Sequence, residues 1–241
     1  GAYVERCKAE GVSFDLFDEE RPFMQTKVDP RWDKQPKPVD TLDYAVPSGN
    51  NHLHFDHKGG AGAYSAARAM RMLLAAQQFC TSGAQGYPSN VNGAPPWFVI
   101  IRRDNLFETL VLNMIPTSQI RIKFDEPPTA WRNTAEVESQ KKVPQTSWLY
   151  GMLFPARRIH LNPEADGTVK TVYFSQGMNY VNPQTWPEPH AAYKINDKGR
   201  FNLKPLGDAA VWQNLACFID TAENCAPQTL GNYARIFDEG L

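Results

Sequence analysis

The chain lacks the marks of several large protein classes. No apolar run approaches the length needed to span a bilayer, so a membrane-embedded helix is not expected. The first residues show no basic start leading into an apolar stretch and a small-residue cleavage site, so a secretory leader is not expected either. Cysteine is scarce, with four residues at Cys7, Cys80, Cys217 and Cys225. They lie far apart without a Cys-x-x-Cys pair, which argues against a zinc ribbon or disulfide framework and for reduced thiols in a cytoplasmic protein. There is no excess of charge of either sign: 25 Lys and Arg against 26 Asp and Glu leave a net charge of -1. That balance excludes coating nucleic acid by bulk positive charge, although local basic clusters can still touch phosphate. Internal repeats and low-complexity segments are absent. So are a Ser-His-Asp order, a phosphate-cradling lysine loop and paired nuclease carboxylates, so no catalytic residue is assigned and the chain reads as a non-enzyme.

What is present is enough for a sizeable core: 241 residues, 42% of them hydrophobic. Ser65 can cap a helix through Ala66, Ala69, Met70, Leu73, Leu74 and Gln77, an i, i+3, i+4, i+7 stripe. Trp97 to Ile101 is a short apolar run that predicts a buried strand. Asn105 to Ile115 reads as a helix with Leu106, Leu110 and Met114 on one face. Trp148 to Phe154 is apolar. Arg157 to Leu161 and Thr168 to Phe174 predict two strands around a Glu164-Ala165-Asp166-Gly167 turn, and Ala191 to Leu203 a second hairpin turning at Asn196 to Gly199. Asp208 to Asp220 and Pro227 to Phe237 look helical. Proline at 30, 36, 38 and 47 and the Thr81 to Gly93 stretch predict irregular chain. Hairpins and separated helices without a βαβ rhythm indicate an α+β fold.

The sharpest local pattern is His52, Leu53, His54, Phe55, Asp56 and His57. Read as His-x-His-x-Asp-His, it has the spacing of the metallo-β-lactamase zinc loop, which makes a zinc metallohydrolase an alternative reading. A di-zinc site needs further ligands and a buried strand in front of the loop. Here Val46 to Asn51 cannot be such a strand, and only His160 and His190 follow. No metal and no cofactor are therefore expected.

A second pattern is longer and ordered. Arg21-Pro22-Phe23-Met24-Gln25-Thr26-Lys27 is followed by Phe55-Asp56-His57 and by the Ala66 to Phe79 helix with its Gly-containing exit. Next come Gly93-Ala94-Pro95-Pro96 leading to Asp104 through Ile115, Ser147 to Phe154 through Leu161, and Trp186-Pro187-Glu188-Pro189-His190. In this order the blocks resemble CasA, the large subunit of the type I-E CRISPR Cascade surveillance complex. The family protein extends beyond both ends, with a C-terminal four-helix bundle. The resemblance thus places residues 1–241 as a single α+β domain of helices and antiparallel hairpins, matching most of the large N-terminal domain.

The resemblance implies a non-catalytic subunit that recognises the protospacer-adjacent motif in double-stranded DNA, promotes R-loop formation and recruits a helicase-nuclease. Its implied partners are the other Cascade subunits, the 5′ end of the guide RNA, target DNA and that helicase-nuclease, with no membrane. A loop facing motif DNA and guide maps to Asn51, His52, His54, Phe55, Asp56, His57 and Lys58; an imidazole can bond a base edge or phosphate, and Phe55 can stack or anchor the loop. A glycine loop at the minor groove maps to Thr81, Ser82, Gly83, Ala84, Gln85 and Gly86, where absent side chains let backbone approach closely. A DNA-reaching lysine of some relatives aligns at or near Gly177, leaving Gln176 and Asn179 as substitutes. The wedge loop maps just beyond Ile236, and no wedge residue is assigned. Some relatives carry a zinc knuckle where this chain has Asn162 to Gly167, so a structural zinc is not expected. Arg102, Arg103, Arg157 and Arg158 are read as solvated strand-edge residues or phosphate contacts. A scaffold that never touches DNA is the remaining alternative.

Overall fold

The computed structural model describes residues 1–44, 62–80, 86–93, 96–119, 137–182, 186–197, 199–203, 211–219 and 225–238. The chain gathers into two compact units, Gly1–Val91 with Phe124–Val181 and Asn92–Lys123 with Asn182–Leu241. Helices are mixed with mainly antiparallel strands, as the α+β reading expects. Among the described residues, no helix is long and apolar enough to cross a membrane.

The first unit opens with helix α1 (Ala2–Ala9) and is organised around strands β3 (Arg157–Pro163) and β4 (Val169–Gln176). Their turn falls where the sequence predicts it. Asp166 Oδ1 accepts from Thr168 N (2.9 Å) and Thr168 Oγ1 (2.7 Å), and Gly167 supplies the positive φ of 77° that a side chain would resist. Strand β1 (Lys37–Pro38) pairs antiparallel with the other side of β4, giving the order β1-β4-β3. Helix α2 (Ala66–Gln78) starts at Ser65, whose hydroxyl accepts from Arg68 N at 3.4 Å. Its buried face, Ala69, Leu73 and Ala76, meets Ile159, Leu161, Val169 and Val172 of the sheet, with Val39 and Leu42 from the 3-10 turn Val39–Leu42. Burying one such leucine contributes about 2 kcal/mol. A five-residue helix, Trp148–Met152, is capped by Ser147, and the short strands β2 (Lys142–Val143) and β5 (Asn179–Tyr180) pair in parallel.

The outer edge of β3 is closed by the Arg21 to Lys27 heptapeptide. Gln25 is buried; its Nε2 donates to Leu16 O (2.6 Å) while its Oε1 accepts from Leu161 N (2.7 Å). Thr26 N donates to Ile159 O at 2.9 Å, and His160 Nδ1 lies 3.1 Å from Thr26 O. Burial pushes the His160 imidazole below its ordinary pKa despite that carbonyl.

Arg157 and Arg158 correct the expectation of solvated strand-edge or phosphate-binding arginines, because both are buried. Arg158 Nη2 pairs with Asp33 Oδ2 at 2.7 Å, both side chains nearly inaccessible, and donates to Lys27 O at 2.6 Å. Arg158 Nη1 donates to Val137 O, and the guanidinium lies 5.0 Å from the Trp32 ring centroid. Arg157 lies 4.9 Å from the Tyr87 ring centroid and donates to the carbonyls of Pro88 and Ala156. Consecutive strand residues point to opposite faces of the sheet, and on both faces here the long side chain finds carbonyls within the fold.

The second unit contains helix α3 (Leu106–Asn113), the hairpin of β6 (Tyr193–Asn196) and β7 (Gly199–Asn202), a 3-10 turn at Val211–Asn214, and helices at Leu215–Ile219 and Gln228–Asp238. Helix α3 begins at Asn105, whose Oδ1 accepts from Glu108 N (2.9 Å) while its Nδ2 donates to Glu108 Oε1 (2.8 Å). The strand expected at Trp97 to Ile101 is instead one isolated bridge, Phe98 to Ala191. The Asn113 side chain takes both backbone groups of Ile101, accepting from its N at 2.9 Å and donating to its O at 2.8 Å, so no ladder can continue there. The single helix expected over Asp208 to Asp220 is, within the described residues, the 3-10 turn followed by a short α-helix.

Candidate nucleic-acid interface

The loop predicted to face DNA, Asn51 to Lys58, lies outside the described residues, as do Thr81 to Gln85. The segments that carry them are well defined. Tyr44, which precedes the first loop, donates its hydroxyl to Ala76 O at 2.7 Å, and desolvation of the phenol pushes its pKa up. Tyr64, after the loop, exchanges backbone bonds of 2.8 Å with Val169, and Arg68 lies 3.9 Å above its ring. The described residues on either side of 45–61 are thereby tied to the α2 and β4 core. The exit of α2 is fixed as firmly: Gln77 Nε2 donates to Arg157 O at 2.7 Å, and Gln77 Oε1 accepts from Arg157 N at 3.1 Å. Asn90 Nδ2 also donates to Gln78 O.

Two of the predicted contact segments meet. Gly86 has φ 74°, and a Cβ there would stand 3.3 Å from Gln176 Nε2 at the end of β4. The absent side chain thus lets the Gln176 amide lie close to Gly86. Gly177, predicted as a possible DNA contact, has a packing role in the fold. A Cβ at that residue would lie 2.2 Å from Pro155 O and 2.6 Å from Arg157 N, so glycine is needed for β4 to pass the 155–157 chain. Gly177 N donates to Ala156 O (3.0 Å), and Gly177 O accepts from Gln140 N (2.7 Å). Asn179 sits in β5 opposite Lys142, with its N donating to Lys141 O at 2.9 Å.

The sequence reading missed Gln140. Its φ is 61°, and its Nε2 donates to Gln176 Oε1, so the two amides form one clasp. A lone glutamine in a polar stretch carries no signal of such a role. A groove of about 330 Å³ opens beside the clasp, lined by Arg31, Trp32, Lys34, Tyr87, Gln140 and Gln176 together with Ser139 and Ser175. Its cations, Arg31 and Lys34, had a faint signal, since with Lys37 they recur every third residue in a proline-containing stretch. Lys37 Nζ donates to Tyr87 OH at 3.3 Å and lies 5.6 Å from the Phe174 ring centroid.

The two histidines that could have completed a zinc site are each engaged within a different unit. His160 faces Thr26 O, whereas His190 Nδ1 lies 3.0 Å from Glu188 Oε1 and its Nε2 3.2 Å from Asn113 O. Among the described residues, no three His, Cys, Asp or Glu side chains gather as a metal site; His52, His54 and His57 are outside them.

Residues 2–240 match the family model for CRISPR-associated protein Cse1. The chain belongs to the Cse1 family. The CRISPR-associated protein CasA/Cse1 of Thermus thermophilus is 28% identical, the alignment covering 95% of this chain and 47% of the relative. In three dimensions, Cse1 of Acidimicrobium ferrooxidans superposes with a TM-score of 0.74 at 21% identity, covering all of this chain and 49% of that one. A chain of a CRISPR RNA-guided surveillance complex superposes with a TM-score of 0.67 at 22% identity, covering 95% of this chain and 50% of that one. The α+β architecture is therefore that of the Cse1 fold, and the chain spans about half the length of these family members.

Proposed function

We propose that this chain forms part of a non-catalytic subunit of a type I-E, RNA-guided surveillance complex acting in the cytoplasm in antiviral defence. Membership of the Cse1 family across nearly the whole chain carries the reading, and one structural neighbour is a chain of such a complex. In this reading guide pairing supplies most of the sequence specificity. The protein reads only a short duplex motif beside the target, the division of labour seen in other RNA-guided effectors. Motif recognition in double-stranded DNA then nucleates strand separation, and destruction of the target is left to a recruited helicase-nuclease. The contact of Gly86 with Gln176 supports this use of the site, because a glycine surface beside a side-chain amide suits a minor groove, where A·T and T·A present the same acceptors. Several related motifs are thus expected to be accepted.

A motif-library binding assay on the reconstituted complex tests the reading. Replacing His54, Phe55 and Asp56 together with alanine should weaken target binding and change the accepted motifs. Unchanged binding would instead favour a scaffold that never touches DNA. The net charge of -1 also predicts that the subunit alone binds duplex DNA weakly at physiological salt.

A further inference from the structure

Two grooves adjoin in the first unit and share Arg31 and Trp32. The one of about 360 Å³ sets Asp29 and Glu138 against Lys27, Arg31 and Arg158, so its charges are internally balanced. The other, of about 330 Å³, has no carboxylate among its described lining residues. Its walls are cationic, aromatic and amide. Arg31 is bound to Asp29 through Nη2 (2.6 Å) and Nε (3.0 Å), whereas Lys34 is exposed and has no carboxylate partner among the described residues. Among those residues the groove thus offers one free cation, beside a second whose charge is shared.

Gln140 adds a hydrogen-bonding edge. A non-glycine residue at φ 61° is strained, and persists only where its surroundings hold it. Here the Gly177 carbonyl holds its backbone and Gln176 holds its side-chain nitrogen, leaving Gln140 Oε1 as an acceptor at the groove. Glycine would adopt this backbone without strain but could not make the clasp.

We propose that this groove holds a nucleotide unit of a nucleic-acid strand, with Lys34 and Arg31 at the phosphate and Gln140 as a specificity-determining residue at the base or sugar edge. The volume fits one small polar ligand, and flexible cations next to fixed amides separate affinity from selectivity. The inference rests on the reading above that the chain works beside nucleic acid, and it extends that reading to residues outside the two predicted loops.

The test uses the reconstituted complex in two arms, one with photoreactive thymidines in the target duplex and one with 4-thiouridine in the guide. A crosslink from either arm to the peptides containing Arg31 to Lys34 or Ser139 to Gln140 is expected, and the arm that gives it names the strand. Lys34→Glu should weaken target binding about fivefold or more at low salt, with the deficit shrinking as salt rises. Gln140→Gly should broaden or shift the accepted motifs while leaving the melting temperature unchanged or higher, an outcome that a merely structural glutamine would not give. Absence of both crosslinks, or wild-type affinity for Lys34→Glu, overturns the proposal. An unchanged motif profile for Gln140→Gly removes Gln140 from it. If the His54, Phe55 and Asp56 variant still loses binding in those cases, the broader reading survives; if that variant also binds normally, both fall.

Discussion

Helices α2 and α3 carry the same kind of apolar stripe, yet they meet opposite fates. In α2 the stripe lies against the sheet, and Ala69 and Leu73 are fully buried among β3 and β4 residues. In α3 it faces solvent: Leu106 is 72% exposed, Leu110 57% and Met114 66%, and the neighbouring Phe107 is exposed too. The difference shows that hydrophobic periodicity locates a face in need of cover without specifying what covers it. The second unit has its own buried residues, among them Trp186, Ala192, Leu203 and Phe218, but the described α3 stripe is not among them.

The largest effects are expected in the first unit. Replacing Arg158 with alanine strands Asp33 as a buried unpaired charge and should destabilise by about 4 kcal/mol, read from the urea midpoint. Changing Arg158 to Met and Asp33 to Leu together should cost much less than that single substitution, since no unpaired charge remains. Gly177→Ala comes next, at about 3 kcal/mol, because its Cβ would strike backbone atoms that cannot move aside. His160 gives a smaller, pH-dependent effect. Its folded pKa lies below the unfolded value near 6.5, so the unfolded chain binds protons more readily. Stability is therefore full above about pH 6.5 and falls as pH drops below it. His160→Asn should flatten that decline in thermal melts taken between about pH 7.5 and 5. Smallest of all, Phe107→Glu on the exposed α3 face should change stability by no more than about 0.5 kcal/mol, and a larger loss would show that this face is covered after all.

The same contrast explains what could be read in advance. Helix α2 and the β3-β4 hairpin were legible because cap, stripe, alternation and turn chemistry all agree at Ser65, Leu73, Ile159 and Gly167. The strand expected at Trp97 to Ile101 was not, because Ile101 spends both backbone groups on the side chain of Asn113, twelve residues away, while Trp97 N and Val99 N reach the separate carbonyls of Leu203 and His190. Around the candidate interface, Gln176 and Gly86 were named from resemblance, and the structure puts them in contact. Gln140 escaped, since its backbone conformation and its clasp exist only once residues 36 positions apart are folded together.

The Arg21 to Lys27 heptapeptide, which first marked the family, has a consequence beyond its hydrogen bonds. A strand edge with free amides and carbonyls is an open invitation to another chain. By spending Gln25 and Thr26 on Leu161 and Ile159, the chain occupies the rim of β3 with its own side chain and backbone. The segment acts as a guard against wrong partners, leaving one fewer surface on which the chain can be joined by mistake.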